Sequence, residues 1–239
     1  MRFDDPVVVR NEYASEAGLR SRASIYGGTF GEGDTRRIAL EAVRAADPRC
    51  VLEVGCGWGE FAERVVQELG VELIAVDQSE RMVELARERG VDARVGDVQA
   101  LPFADGEFDV AVANWMLYHV PDLDCGLAEL ARVLRLGGRL VATTNSLDHL
   151  GELWSLVGRD RRREPVRFFA ETGEEPLLRH FARVERYDNE GTVVFADRAA
   201  VQRYVASSVA HKHLVDEVPP LEGPLVANTH NSVFVAEKA

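Results

Sequence analysis

Four short stretches carry residue types that could do chemistry. The first, Val51 to Gly59, reads VLEVGCGWG: an apolar β-type run ends in Gly55, Gly57 and Gly59, and a helical pattern (Phe61, Ala62, Val65, Val66, Leu69) begins at once. Strand, glycine turn, helix is the order that brings main-chain N–H groups up to a nucleotide-like ligand. Glycine permits it because it takes φ > 0 and has no Cβ in the way. A dinucleotide fingerprint needs a further glycine where Glu60 stands, which argues against a nicotinamide dehydrogenase. The second stretch ends in Asp77, after the run Leu73 to Val76; a carboxylate there can accept from both hydroxyls of a ribose. Its other role, capping the next helix, suits Ser79 better. The third is Gly96-Asp97-Val98, which also reads as an ordinary turn. The fourth is Asn114-Trp115-Met116-Leu117-Tyr118-His119-Val120-Pro121-Asp122, whose conspicuous acid–base group is His119. An imidazole titrates near neutrality and could take a proton from a hydroxyl or ammonium; it could equally be structural, bonding a backbone group.

The elements that must position these residues alternate. Strands are expected at Val51–Val54, Leu73–Val76, Ala93–Val95, Phe108–Ala113 and Arg139–Thr144, and helices at Glu60–Leu69, from Ser79 to Arg89, and at Leu123–Leu136, closed by Gly137-Gly138. Alternating β and α with short loops predicts a parallel sheet covered on both faces, doubly wound by right-handed crossovers. Ahead of this core, residues 1–33 read as an arm with a helix from Glu12 to Arg22 and a glycine-rich loop from Tyr26 to Gly33. Asp34 caps a helix from Thr35 to Ala46. Beyond Asn145 the rhythm changes. A helix is expected at Leu147–Val157, a charged break at Gly158–Pro165, and a helix at Glu175–Phe181. Val184–Val194 reads as a strand pair turning near Asn189-Glu190-Gly191. Asp197 caps a helix through Val209, and Asn231–Glu237 is a final strand.

The totals bound the class. The chain has 239 residues, 46% hydrophobic and 28% charged, as expected for one soluble α/β domain. A net charge of -12 is a poor prior for nucleic acid, whose binding rests on neutralising phosphates. Neither an apolar run of membrane-spanning length nor a secretory leader is apparent. Cys50, Cys56 and Cys125 are too few and odd for a disulfide framework, so a reduced, cytoplasmic setting is expected. His211-Lys212-His213 would splay its imidazoles on a helix and lacks completing ligands, so no metal site is expected.

The string E-x-G-x-G-x-G at Glu53 to Gly59 resembles motif I of the class I S-adenosylmethionine (SAM)-dependent methyltransferases. Gly96 to Asp109 repeats the family's G-D-x-x-x-L-P-F-x-D-x-x-F-D, and 114–122 its aliphatic-x-x-x-x-H-h-x-D. The match is to the superfamily's ubiquinone-biosynthesis-like branch of small-molecule enzymes. It implies a Rossmann-like fold with a mostly parallel seven-stranded sheet, an N-terminal helical arm and a lid insert after strand five. One domain would divide into arm (1–33), SAM-binding core (34–145), lid insert (146–183) and C-terminal strands and helix (184–239). The cofactor shell it implies is Glu53, Gly55, Cys56, Gly57 and Gly59 at the turn; Asp77 at the ribose, with Gln78 and Met82; Gly96, Asp97 and Val98 at the adenine; and Asn114 and Trp115 at the methionine end. From the arm, Arg22 would meet the SAM carboxylate and Tyr26 would close over it. Tyr13, Met116, His119, Trp154, Phe168 and Phe169 are the substrate-side candidates, with His119 the catalytic one. The run Arg159 to Arg163 could steer an anionic substrate. The implied reaction is methyl transfer from SAM to an O, N or C nucleophile of a small molecule, leaving S-adenosylhomocysteine. The chain would act as monomer or homodimer. A SAM-binding protein without transfer activity, or a tRNA methyltransferase, is the alternative.

Overall fold

The structure, a computed structural model, describes residues 4–26, 34–160 and 168–239. Its seven-stranded sheet has the order β3-β2-β1-β4-β5-β7-β6, from β1 (Cys50–Val54), β2 (Glu72–Asp77), β3 (Asp92–Val95), β4 (Phe108–Asn114), β5 (Leu134–Asn145), β6 (Arg183–Phe195) and β7 (Leu225–Glu237). Neighbours pair in parallel except β7, which runs antiparallel to both β5 and β6. Period-2 side chains explain the two-sided burial. Leu52, Val54, Ala111 and Ala113 face one core, which holds Leu123, Leu127 and Leu130 of α6 (Leu123–Val133). Val51, Val110 and Val112 face the other. That second core is filled by α3 (Thr35–Arg44), α4 (Glu60–Leu69) and α5 (Glu80–Glu88). The predicted caps form: the side chains of Asp34, Ser79 and Asp197 each accept from a first-turn amide, and Asp122 does the same for α6. Gly70 closes α4 at φ 66°, as an αL cap should.

Four expectations need correction. The arm is not one helix over 12–22 but two, α1 (Pro6–Glu12) and α2 (Ala17–Ser24). Asp5 caps the first, with Pro6 in its opening turn, a start signal that the charged ends of the segment obscure. The chain turns at Tyr13, whose carbonyl accepts from Ser79 Oγ at 2.8 Å. Residues 184–194 are not a hairpin. β6 runs unbroken, and its Asn189, Glu190 and Gly191 pair with Asn231, His230 and Thr229 of β7; thirteen residues of ladder outweigh a local turn preference. Helix α6 stops at Val133, and Gly137-Gly138 lies inside β5. A Cβ on Gly138 would sit 2.8 Å from the Arg135 carbonyl, and the β4–β5 register shifts there. The segment expected to be helical over 147–157 forms only α7 (Gly151–Leu156).

A third apolar cluster stands apart from the two sheet cores. Leu150, Leu153 and Trp154 around α7, with Val201 and Val205 of α9 (Arg198–Ala206), pack on Val193, Phe195 and Ala227. These last three belong to the ends of β6 and β7 that overhang the sheet. The short helix α8 (Glu174–Leu178) returns to the main core through Leu177. The glycines expected to form a loop at 27–33, and the arginines at 161–163 of the basic run, lie outside the described residues.

Candidate functional site

The carboxyl ends of β1 to β4 meet at the glycine turn. Gly55, Gly57 and Gly59 take φ of 67°, 53° and 78°, a region L side chains avoid. Gly55 and Cys56 donate their amides to the Val76 carbonyl at 2.7 and 3.2 Å. A Cβ on Gly55 would lie 2.7 Å from the Met116 side chain, so the turn is crowded as well as left-handed. Asp77 stitches it down: one oxygen accepts from the Gly57 amide and the other from the Ser79 amide, both at 2.9 Å. Burial raises the Asp77 pKa, against the pull of amides from Ser79, Gly57 and Gln78.

A narrow slot of about 110 Å³ opens beside this turn. Gly55, Asp77, Gln78, Gly96, Asp97, Val98, Met116 and His119 line it. These are eight of the residues that the sequence marked. Asp97 Oδ1 accepts from the Gln99 amide at 2.9 Å, and a carboxylate keeps acceptor capacity beyond that. Sequence reasoning missed Pro6 and Val9 of α1, which close the slot; the Asp5-Pro6 helix start was their only signal. A larger hollow of about 520 Å³ lies between α3 and the strands β6 and β7. No marked residue lines it, and Arg139–Glu237 and Arg183–Glu185 pair at its rim.

Beneath the slot, Glu53 is almost wholly buried. Burial, then the charge of Asp77, pushes its carboxyl up to about 8, against smaller pulls from Asn114 and the Ala62 amide. Glu53 Oε2 and Asn114 Nδ2 are buried without a hydrogen-bond partner. Such atoms are costly unless a ligand completes them. Asn114 Oδ1 is already engaged by Thr143 Oγ1 at 2.6 Å.

The arm lies over all of this. The Tyr13 phenol and His119 Nε2 share a hydrogen bond at 2.9 Å, with the rings edge to face. Desolvation pushes the Tyr13 pKa up to about 12, so it stays a neutral phenol. Arg81 pairs with Glu16, and Arg20 lies over the Trp58 ring at 5.2 Å.

Other marked residues are placed elsewhere. Arg22 is committed to Glu12 and to the Ser207 carbonyl, and Tyr26 to His149 Nε2 at 2.9 Å. The Trp115 indole N–H is directed to Asn145 and Asn231. Cys56 is buried, its thiol pushed up by that burial, and Gly59 backs onto Ala86, letting α4 pack on α5. Met82 is fully buried under the start of α5. Phe168 and Trp154 are corrections as substrate-wall residues. Phe168 is 0% exposed against Phe234, and Trp154 belongs to the third cluster beside His211. Apolar volume near charged loops marks core here, not an opening. Phe169 stacks on Tyr118. His211 is buried, and Lys212 begins a 3-10 turn running to Glu217.

Comparison with known proteins agrees with this geometry. Residues 52–142 match the family described as a methyltransferase domain. A malonyl-[acyl-carrier protein] O-methyltransferase of Erwinia pyrifoliae is 37% identical over 125 residues, 50% of this chain and 47% of that protein. A demethylmenaquinone methyltransferase of Renibacterium salmoninarum is 36% identical over 108 residues, 44% of this chain and 45% of the other. The chain thus spans about half the length of the curated relatives it matches. Among solved structures, a Haemonchus contortus phosphoethanolamine N-methyltransferase, in complex with phosphomonomethylethanolamine and S-adenosylhomocysteine, superposes with a TM-score of 0.63. That match has 18% identity and covers 100% of this chain and 61% of that one. The fold is that of the class I methyltransferases.

Proposed function

We propose, from a chain whose residues 52–142 match a methyltransferase domain, that it transfers a methyl group from SAM to an oxygen, nitrogen or carbon nucleophile of a small molecule. The observation that carries this reading is the buried, unpartnered Glu53 oxygen and Asn114 amide, set against a slot edged by Asp77 and Asp97. That donor set fits SAM. Asp77 would hold the ribose, Asp97 and Val98 the adenine, and Glu53 the amino-acid ammonium, with the Asn114 amide available to the carboxylate. SAM supplies a methyl already activated on sulfur, so the chain's own work is alignment and exclusion of water. Pro6 and Val9 do the latter from above. His119, held by Tyr13 as it stands, acts as a base only on an acceptor that displaces the phenol; otherwise its role is to hold the arm.

Acidity of the chain weighs against tRNA as the acceptor. Among the described residues no helix is long and apolar enough to cross a membrane. Calorimetric titration with SAM, S-adenosylhomocysteine and NAD tests the cofactor; binding of NAD alone would overturn the reading. Release of S-adenosylhomocysteine then tests acceptors, beginning with malonyl-[acyl-carrier protein] and demethylmenaquinone, the substrates that the relatives' names print. SAM binding with no turnover on any acceptor would favour the non-transferring alternative.

A further inference from the structure

Strand order fixes where an acceptor has to lie. The cofactor groups assigned above follow the carboxyl ends of the sheet: Asp97 after β3, Asp77 of β2, Glu53 of β1 and Asn114 of β4. In the order β3-β2-β1-β4-β5-β7-β6, the end of β5 and the adjoining start of the antiparallel β7 come next. Ligands of such sheets sit outside this edge. One side chain reaches both strands there. The Trp115 indole N–H is directed to Asn145 Oδ1 at 3.1 Å and Asn231 Oδ1 at 3.3 Å, and Asn145 of β5 stands in register with Asn231 of β7.

The backbone that carries this ring is strained. Trp115 takes φ of 51°, a conformation that bulky side chains avoid and that persists only where its surroundings over-determine it. They do so from both ends: the Trp115 amide donates to the Thr143 carbonyl at 2.8 Å, and the two asparagines hold the far edge of the indole. Filling space does not require such a backbone. The ring is only half-buried. The other two tryptophans have partners at their rings: Arg20 over Trp58, and Tyr204, His211 and Arg159 around Trp154. Among the described residues no aromatic ring or cation lies over Trp115. Its chain neighbour Met116 lines the cofactor slot.

Resting on the cofactor reading above, we infer that the Trp115 indole is the face on which the methyl acceptor stacks, and that the acceptor is a planar, unsaturated, uncharged ring carrying the nucleophile, such as a phenol, a quinol or a heteroaromatic. The chemistry of the surface selects that class. The indole N–H is already committed, so the ring offers a guest its π face and no hydrogen bond; a carboxylate or an acyl chain gains little there. The side chains that frame it, from Asn114, Met116, Thr143, Asn145 and Asn231, are all neutral. A cation also suits an indole face. Here it would stand beside the sulfonium of SAM, and two like charges in a partly desolvated site repel. A neutral ring meets no such opposition, and offset stacking on a fixed indole orients it as well as binding it.

Nuclear magnetic resonance of the indole N–H groups tests this on the full chain saturated with S-adenosylhomocysteine. The chain has three tryptophans, and Trp115→Phe assigns the signal in question. Three probes are titrated: 2-naphthol as the planar neutral ring, tetramethylammonium as the cation and malonate as the carboxylate. The expected result is a saturable shift of the Trp115 signal with 2-naphthol alone, while Trp58 and Trp154 stay still. A response to tetramethylammonium or malonate instead, an equal response at all three indoles, or no response would overturn the inference. Trp115→Asn gives a second reading, because asparagine accepts a positive φ. Followed by saturation transfer to the probe, 2-naphthol affinity should fall at least about tenfold, with the S-adenosylhomocysteine Kd within about twofold of wild type. Unchanged 2-naphthol affinity would remove Trp115 from the acceptor site, and a matching loss of S-adenosylhomocysteine affinity would make it a cofactor contact; either overturns the proposal. A wild-type chain that binds no S-adenosylhomocysteine would instead remove the cofactor reading on which the acceptor's place depends.

Discussion

Glu53 turns cofactor binding into a measurable proton release. With its carboxyl pushed up to about 8 by burial, roughly nine-tenths of the ligand-free protein holds the proton at pH 7. An ammonium placed against Glu53 Oε2 favours the carboxylate, so binding should expel on the order of 0.9 proton per SAM at that pH. Only the ionised tenth is ready to bind, and it shrinks to about a hundredth at pH 6. Apparent affinity should therefore tighten about tenfold between pH 6 and 7. Calorimetry in buffers of different ionisation enthalpy counts the protons directly. Two controls isolate the residue: Glu53→Gln should release none through this position, and 5′-methylthioadenosine, which lacks the amino-acid end, should release none from wild type. Asp77 is also raised, and the Glu53→Gln variant separates its contribution. Wild-type binding with no proton release and flat affinity from pH 6 to 7 would refute the placement of the ammonium at Glu53.

The same group sets a stability slope. An unfolded Glu53 ionises above about 4.5 while the folded one holds its proton to about 8. Between those values the folded state binds more protons, so ligand-free stability falls as pH rises, in total by something on the order of a few kcal/mol. Glu53→Gln should flatten that slope in thermal unfolding between pH 5.5 and 8. An equal slope in both proteins would place the titration elsewhere.

Three further outcomes follow from the geometry. Asp77→Ala frees the Gly57 and Ser79 amides and removes the ribose acceptor, so SAM affinity by calorimetry should fall on the order of a hundredfold; unchanged affinity would end the ribose assignment. Gly55→Ala and Gly70→Ala both force alanine to a positive φ, 67° and 66°, costing about 1–2 kcal/mol each. Only Gly55→Ala also drives a Cβ against Met116, so urea unfolding should show it losing a further ~1–3 kcal/mol. Phe168→Ala should destabilise by about 3–5 kcal/mol while the folded fraction binds SAM with wild-type Kd, which a substrate-wall role beside the cofactor would not leave so separate from activity.

How much of this was legible in the sequence depends on the range of the forces involved. The core from β1 to β5 was legible because each element carries its own periodicity and its own start or stop signals: Gly70 ends α4, and Ser79 starts α5. The slot was legible for a related reason. Its residues sit at strand ends, where the chain must turn and where parallel sheets open; that order marks Gly55 and Asp77, and the family resemblance adds Asp97. Side-chain commitments made across long distances in the chain were not legible. Arg22 bonds Ser207, Asn189 bonds Thr35, and Tyr13 bonds His119 over 106 positions. No local pattern encodes such partners, and each one diverted a residue from the role or the turn that its neighbours suggested. Phe168 shows the same limit for apolar groups, since a large ring beside a charged break reads alike whether it lines a pocket or fills a core. What a short motif specifies is the backbone that receives the ligand. What covers it is specified by tertiary contacts, which no motif of this chain foretells.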